Sequence, residues 1–294
     1  MTFIDFAYLR PATLAEALTL LAATEQAIPL ASGTDVLMKL RYERIHPQAL
    51  IDLSGLAELR GIRSIEGGLW LGPLTTMSEV AQAALIREQW AALAEGAQAV
   101  GSLQIRNLAT VGGNVCNASP AADTIPALLV AQAQAELTGP TGQRTLPLVQ
   151  FFTGPGQTAL QPGELLTGLF LPSLGPYFGS TYLRHCIRRQ LDLAAVGVAA
   201  ALTLNEAGHI VTACIALGAV APTPLRAYEA EQCVIASGIL NEKTLHDAAQ
   251  LAIGATRPIS DLRATADYRR HMVGVLTRRA LQGAYRRAQM TLEN

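Results

Sequence analysis

Aromatic residues make up 5% of the 294-residue chain, charged residues make up 15%, and the net charge is −1. So few aromatics leave little from which to build an aromatic cage around a substrate. Without a sustained basic run, bulk nucleic-acid binding is not expected. The longest apolar stretch, 193–204, spans twelve residues and is too short to cross a bilayer. Residues 1–10 lack a basic start followed by an apolar core, so no signal peptide is expected. The four cysteines, Cys116, Cys186, Cys214 and Cys233, form no C-x-x-C pair. That argues against a zinc site or an iron–sulfur cluster held by this chain, and free thiols point to the cytoplasm. The histidines, His46, His185, His209, His246 and His271, show no metal-ligand spacing. The G-x-S-x-G and H-E-x-x-H patterns are also missing. An enzyme without a visible nucleophile or base leaves the chemistry to a cofactor and supplies the binding.

Half of the residues are hydrophobic, enough for two or three domains with proper cores. Thr13 and Glu16 form a capping-box pattern ahead of a helical stripe over 14–23. Apolar strands are expected at 27–31 and 49–53, with a short helix over 36–40 between them, so 1–55 reads as a βαβ-type unit. A hairpin is expected over 62–71 around Gly67-Gly68. A second capping box at Thr76 and Glu79 opens a helix to about 84, and 90–100 reads as helix. Ser119-Pro120 reads as N-cap and first helical position of a helix running to 133. Strands follow at 135–138 and 164–171. Leu174-Gly175-Pro176 is the best linker, which divides the chain into 1–55, 56–176 and 177–294. Beyond it, strands at 181–187, 193–204 and 209–218 form a three-stranded antiparallel sheet. Helices at 228–237, 242–254 and 265–288 cover it. Tyr268, Met272, Val275, Leu276 and Leu281 form the apolar stripe of the last helix, with its arginines on the solvated face. The fold class is α+β.

The stretch that organises the chain is 104–123, which holds Gly112-Gly113, the polar residues Thr110, Asn114 and Asn117, and Asp123. Paired glycines allow positive φ and close approach of a ligand to backbone. Two readings stand: a tight turn between buried elements, or a ligand loop whose helix start attracts an anion. The spacing of the polar side chains favours the ligand. A second strand–turn–helix at 30–36, Ser32-Gly33-Thr34-Asp35, offers the same backbone groups without a Walker A ending. Together the two could clasp one diphosphate, and the lack of a classical dinucleotide fingerprint points to a flavin. Residues 154–159 formally fit G-x-G-x-x-A, but Pro155 and Pro162 exclude the required helix, so this is a loop.

Leu30-Ala31-Ser32-Gly33-Thr34-Asp35-Val36-Leu37 and the run from Gln104 to Asn117 closely resemble the two FAD loops of the molybdenum hydroxylase flavoprotein subunits. Phe151 to Gly156, Leu191-Asp192-Leu193-Ala194 and Ala219 to Arg226 are also similar to that family. The resemblance runs over almost the whole chain and is strongest to subunits of the bacterial xanthine dehydrogenase type. It implies a two-part N-terminal FAD-binding domain of the vanillyl-alcohol-oxidase type and a C-terminal small antiparallel sheet covered by helices. It also implies partners: an iron–sulfur subunit with 2Fe-2S clusters and a molybdopterin-binding subunit with the molybdenum cofactor. FAD would sit here and NAD would be the acceptor.

Carried over by position, the residues implied to contact FAD are Leu30, Ala31, Ser32, Gly33, Thr34, Asp35, Val36, Val100, Thr110, Gly112, Gly113, Asn114, Cys116, Asn117, Asp123, Leu166 and Arg184. The two loops would act mainly through backbone N–H, and Asn117 and Asp123 through ribityl or ribose hydroxyls. Ser32 stands where many relatives have glycine, which requires a negative φ. Thr34 and Asp35 replace the histidine of covalent attachment, so FAD is expected to be noncovalent. Leu193 stands where some relatives place a tyrosine over the flavin ring. Cys116 reads as a flavin neighbour or as a small packing residue. Asp192 reads as a partner of Arg188 or Arg189, or as a strand end.

Overall fold

The computed structural model describes residues 5–188 and 191–293. The first unit contains β1 (Ala7–Leu9), α1 (Leu14–Ala23), β2 (Ala27–Leu30), α2 (Val36–Arg41) and β3 (Ala49–Asp52). Its three strands are parallel in the order β1–β3–β2. Thr13 caps α1 by accepting from Glu16 N, while the Glu16 carboxylate accepts from Ala12 N. That second bond lies one residue before the position a full capping box uses. β1 is too short for an alternating pattern to show, and no strand is expected there from the sequence.

The second unit begins with the hairpin β4 (Ile62–Ile65) and β5 (Gly68–Leu71). The helices α3 (Met77–Gln82), α4 (Ala84–Gln89), α5 (Ala91–Ala99), α6 (Leu103–Arg106), α7 (Val111–Asn117) and α8 (Thr124–Val130) follow. β6 (Gln134–Gly139), β7 (Gly142–Pro147), β8 (Phe152–Gly154), β9 (Gln157–Thr158) and β10 (Leu165–Pro172) complete it. Strands run β4–β5–β10–β6–β7 in an antiparallel sheet, and β8 pairs with β9. The G-x-G-x-x-A segment is that small β8–β9 hairpin, with no helix after it.

Two local expectations are corrected here. Gly112-Gly113 does not form a turn with positive φ; both residues lie inside α7, capped by Thr110. The next helix does not begin at Ser119-Pro120. Ala118 takes a left-handed conformation (φ 47°) and closes α7; the chain then turns, and α8 starts at Thr124 behind Asp123. The proline in its first turn is Pro126, where no intrahelical N–H is needed.

The third unit is an antiparallel sheet of β11 (Phe178–His185), β12 (Val196–Leu204), β13 (Ile210–Gly218) and β14 (Leu225–Arg226). The two-residue β14 makes it four-stranded rather than three. Helices α9 (Tyr228–Ser237), α10 (Glu242–Gly254) and α11 (Ala266–Glu293) pack on one face. All nine residues of β12 are buried. The period-two alternation explains how: Val198, Ala200 and Leu202 join the core under α9–α11, whereas Ala199 and Ala201 join the core of the second unit. On α11 the buried hydrophobic side chains are Val273, Leu276, Ala280, Leu281, Ala284 and Ala288, while Tyr268 is exposed. Arg269 is 2% exposed, so not all arginines of α11 lie on a solvated face.

Candidate functional site

The 30–36 segment leaves the end of β2 and enters α2. Leu30 is buried and its carbonyl accepts from Leu53 N at 2.8 Å. Val36 packs with Leu30, Leu40 and Leu50, which anchors the helix start. Between these anchors the chain turns through Ala31, Ser32, Gly33, Thr34 and Asp35. Gly33 has φ +80°, and a Cβ there would lie 2.9 Å from the Leu37 side chain, so this position requires glycine. Ser32 avoids positive φ, as its substitution for glycine demands. Among the described residues, Ser32, Gly33, Thr34 and Asp35 donate none of the backbone hydrogen bonds made outside helices and strands. Asp35 is exposed and its carboxylate does not cap α2.

The start of α7, capped by Thr110, faces this loop. A Cβ built on Gly113 would lie 4.0 Å from the Ala31 Cβ. Lys39 Nζ on α2 donates to Asn117 Oδ1 at 2.8 Å, joining the two helices. The two reversals therefore converge. They offer different surfaces, however. Val111 N donates to Thr75 O, Gly112 N to Pro73 O, Gly113 N to Thr110 Oγ1 and Asn114 N to Thr110 O. The expectation that this second segment grips a ligand mainly through free backbone N–H is thereby corrected: the first-turn donors of α7 are satisfied within the chain. What it presents is side-chain-free surface at Gly113. Gly112 serves packing, because a Cβ there would lie 2.4 Å from Pro73 Cβ. Asn114 Oδ1 accepts from Thr124 Oγ1 at 2.6 Å, which ties α7 to α8.

Asp123 lies at the start of α8 and is 6% exposed. Its Oδ1 accepts from Tyr182 OH at 2.6 Å, and its Oδ2 accepts from Arg184 Nη1 at 2.8 Å. Burial raises its pKa to about 6, against the lowering effects of the Tyr182 hydrogen bond and the Arg184 charge. Arg184 Nη1 also donates to Asp192 O at 3.3 Å. Asp192 Oδ2 accepts from Arg188 N at 2.9 Å, so the partner it finds is Arg188; Arg189 lies outside the described residues. Leu193 is exposed.

The other expected positions sit in the core below. Leu166 is 5% exposed on β10, opposite Leu137, in the core that holds Val111 and Val115. Val100 ends α5 against that core, and its carbonyl accepts from Arg106 Nη1. Cys116 also packs there, and burial pushes its thiol up to about 12, which keeps it a neutral packing group near pH 7. Lys39 and Tyr182 were not singled out by any motif. Lys39 could have been found as the basic residue one turn into the helix after the first loop; Tyr182 carries no local signal, because its contact is made across 59 residues of chain.

Residues 4–174 match the family described as "FAD binding domain in molybdopterin dehydrogenase", and residues 181–284 match the "CO dehydrogenase flavoprotein C-terminal domain". The chain is 36% identical to the xanthine dehydrogenase FAD-binding subunit of Escherichia coli O157:H7, covering 95% of this chain and 96% of that one. It is 35% identical to the carbon monoxide dehydrogenase medium chain of Afipia carboxidovorans, covering 97% and 98%. Among solved structures, a chain of the reconstituted CO dehydrogenase from Oligotropha carboxidovorans matches with a TM-score of 0.93 at 33% identity, covering 98% and 100%. The chain thus belongs to the FAD-binding subunits of the molybdopterin dehydrogenases, the molybdenum hydroxylase family, and is an FAD-dependent oxidoreductase subunit.

Proposed function

We propose that this chain is the flavoprotein subunit of a cytoplasmic xanthine dehydrogenase, with an iron–sulfur subunit and a molybdopterin-binding subunit as partners. The observation that carries the site is the convergence of the two loops at Ala31–Gly113 and Lys39–Asn117. The xanthine relative at 36% identity supports the substrate class. In this reading FAD is bound noncovalently. The N–H groups of Ser32, Gly33, Thr34 and Asp35 hold the diphosphate, and Lys39 adds a nearby positive charge. Gly113 admits the phosphates close to α7. Asn117 and Asp123 accept from flavin hydroxyls. Residues 1–55 and 56–176 form the two parts of the FAD domain, and 177–294 form the C-terminal domain.

When bound, FAD supplies the change-over between single electrons arriving from 2Fe-2S clusters and a hydride leaving to NAD. The chain's own part is to position that group, to shield it and to present one edge to a partner. A carbon monoxide dehydrogenase relative at 35% identity makes the substrate the point to test. The complex co-purified with its partners should carry FAD and form NADH with xanthine. Reduction of NAD or a dye with carbon monoxide or an aldehyde, and none with xanthine, would overturn the substrate assignment. Turnover by the isolated chain would instead favour a free-standing flavin oxidase.

A further inference from the structure

Asp123 is expected at the flavin, yet both of its oxygens are already engaged by side chains of the C-terminal domain. A carboxylate has about four acceptor positions, so two donors leave room for hydroxyls of a ligand. The engagement is built from several sides. Tyr182 lies on the edge strand β11, and its backbone N–H donates to Glu95 Oε2 on α5 at 2.7 Å. Its phenol lies over Gly197 of β12, where a Cβ would come 2.7 Å from the hydroxyl oxygen. The phenol is 5% exposed, and burial together with Asp123 raises its pKa well above the ordinary value, so it remains a donor. Strand register, glycine and anchor thus aim one hydroxyl at one carboxylate oxygen.

We propose that Tyr182 is a positioning residue of the flavin site, by which the C-terminal domain holds the Asp123 carboxylate charged and oriented to accept from a hydroxyl of FAD. The inference rests on the reading of Asp123 as a flavin contact. The groups facing Asp123 are Tyr182 and Arg184 from β11, with the Thr124 hydroxyl beside it on α8 directed to Asn114. Cys186 bears on Tyr182, and its thiol donates to Arg188 O.

The test is the FAD affinity of the full chain as a function of pH, measured by quenching of flavin fluorescence. If binding needs the charged carboxylate, wild-type affinity falls about tenfold per pH unit below the midpoint. Tyr182→Phe removes a hydrogen bond that favours the charged form, so the midpoint moves to higher pH. Affinity near pH 6 should drop about tenfold, while affinity above about pH 8 changes less than about twofold. Superimposable profiles, or an equal loss at every pH, would overturn the inference and leave Tyr182 a packing residue. Asp123→Asn supplies a second arm, because it cannot titrate: a profile flat over the same range supports the inference, and a persisting acid limb overturns it. Failure of the wild-type chain to bind FAD at any pH would sink the reading of the site itself, an outcome distinct from an unmoved midpoint.

Discussion

The two adjacent glycines of α7 have different jobs, and substitution separates them. A Cβ on Gly112 meets Pro73 Cβ at 2.4 Å and Pro73 O at 2.8 Å, and that same carbonyl accepts from Gly112 N. Gly112→Ala should therefore destabilise the fold by about 1–3 kcal/mol, the usual range for overpacking, read as a lower urea midpoint of the apoprotein. Gly113→Val crowds only Thr110 Oγ1 and the approach from Ala31, so about 1 kcal/mol, a cap's worth, should be lost while FAD retention disappears. A Gly113→Val chain that kept its flavin would contradict the placement of FAD. Asp123 makes a separate prediction for the apoprotein. Its pKa rises from 3.8 to about 6 on folding, so the native state binds this proton more tightly than the unfolded chain does, though the group is charged near pH 7. The stability this group adds is complete below its unfolded pKa and is lost as pH climbs through about 6. The loss amounts to roughly 3 kcal/mol. Denaturation across that window should show the decline in wild type and a flatter profile in Asp123→Asn; equal slopes would rule it out.

Helices are held by different kinds of residue, and this decides which could be read in advance. On α11, Arg269 Nη1 donates to Ala195 O and Ala219 O, and Nη2 donates to Asp261 Oδ1 at 2.7 Å. One planar fork thus ties the first turn of the helix to the flanks of β12 and β13. Arg269→Ala takes the guanidinium from two carbonyls and from Asp261, which keeps the N–H groups of Arg263 and Ala264, and should lower stability by about 3 kcal/mol; Arg269→Lys should recover less than half of that, because a point charge cannot reproduce the fork. Thermal melts of both variants test this, and a lysine variant as stable as wild type would refute it. The sequence pattern treats this arginine as solvated because nothing local marks its two carbonyl acceptors, which come from distant segments, Ala195 and Ala219. By contrast, α1, α9 and α10 were legible to the residue, since the Thr13 cap and the apolar spacing act within one or two turns. The loop at 30–36 was legible for the same reason. α7 was not: paired glycines signal a turn, and the helix forms there because Thr110 caps it while Pro73 and Thr75 accept its first N–H groups from across the chain. The start of α8 was misplaced because Ser-Pro is a strong local signal, yet here Ser119 O closes a turn with Ala122 N and Pro120 O accepts from Ala219 N of a distant segment.

At the level of the whole molecule, the boundary between the FAD-binding half and the C-terminal half is a packed core and not a hinge. Tyr182, Ala199, Ala201, Cys214 and Ala216 of the C-terminal sheet are buried in one cluster with Leu69, Ile125, Leu128 and Leu169. Polar contacts cross the same boundary. Glu95 accepts from Tyr182 N and from Arg287 Nη2, and Ala92 N donates to Ser180 Oγ at 3.1 Å. A sheet packed on both faces cannot lose one cover without exposing alternate residues of every strand, and the reverse holds for α5 and α8. The matched FAD domain ends at residue 174, yet Asp123 accepts hydrogen bonds from Tyr182 and Arg184 beyond it. Residues 1–176 expressed alone should bind a hydrophobic dye, lack a cooperative melt and fail to retain FAD, whereas the full chain should unfold in a single transition. A truncated chain with a sharp melt and stoichiometric flavin would show that the two halves are independent, and that the C-terminal sheet only rests against a site already complete without it.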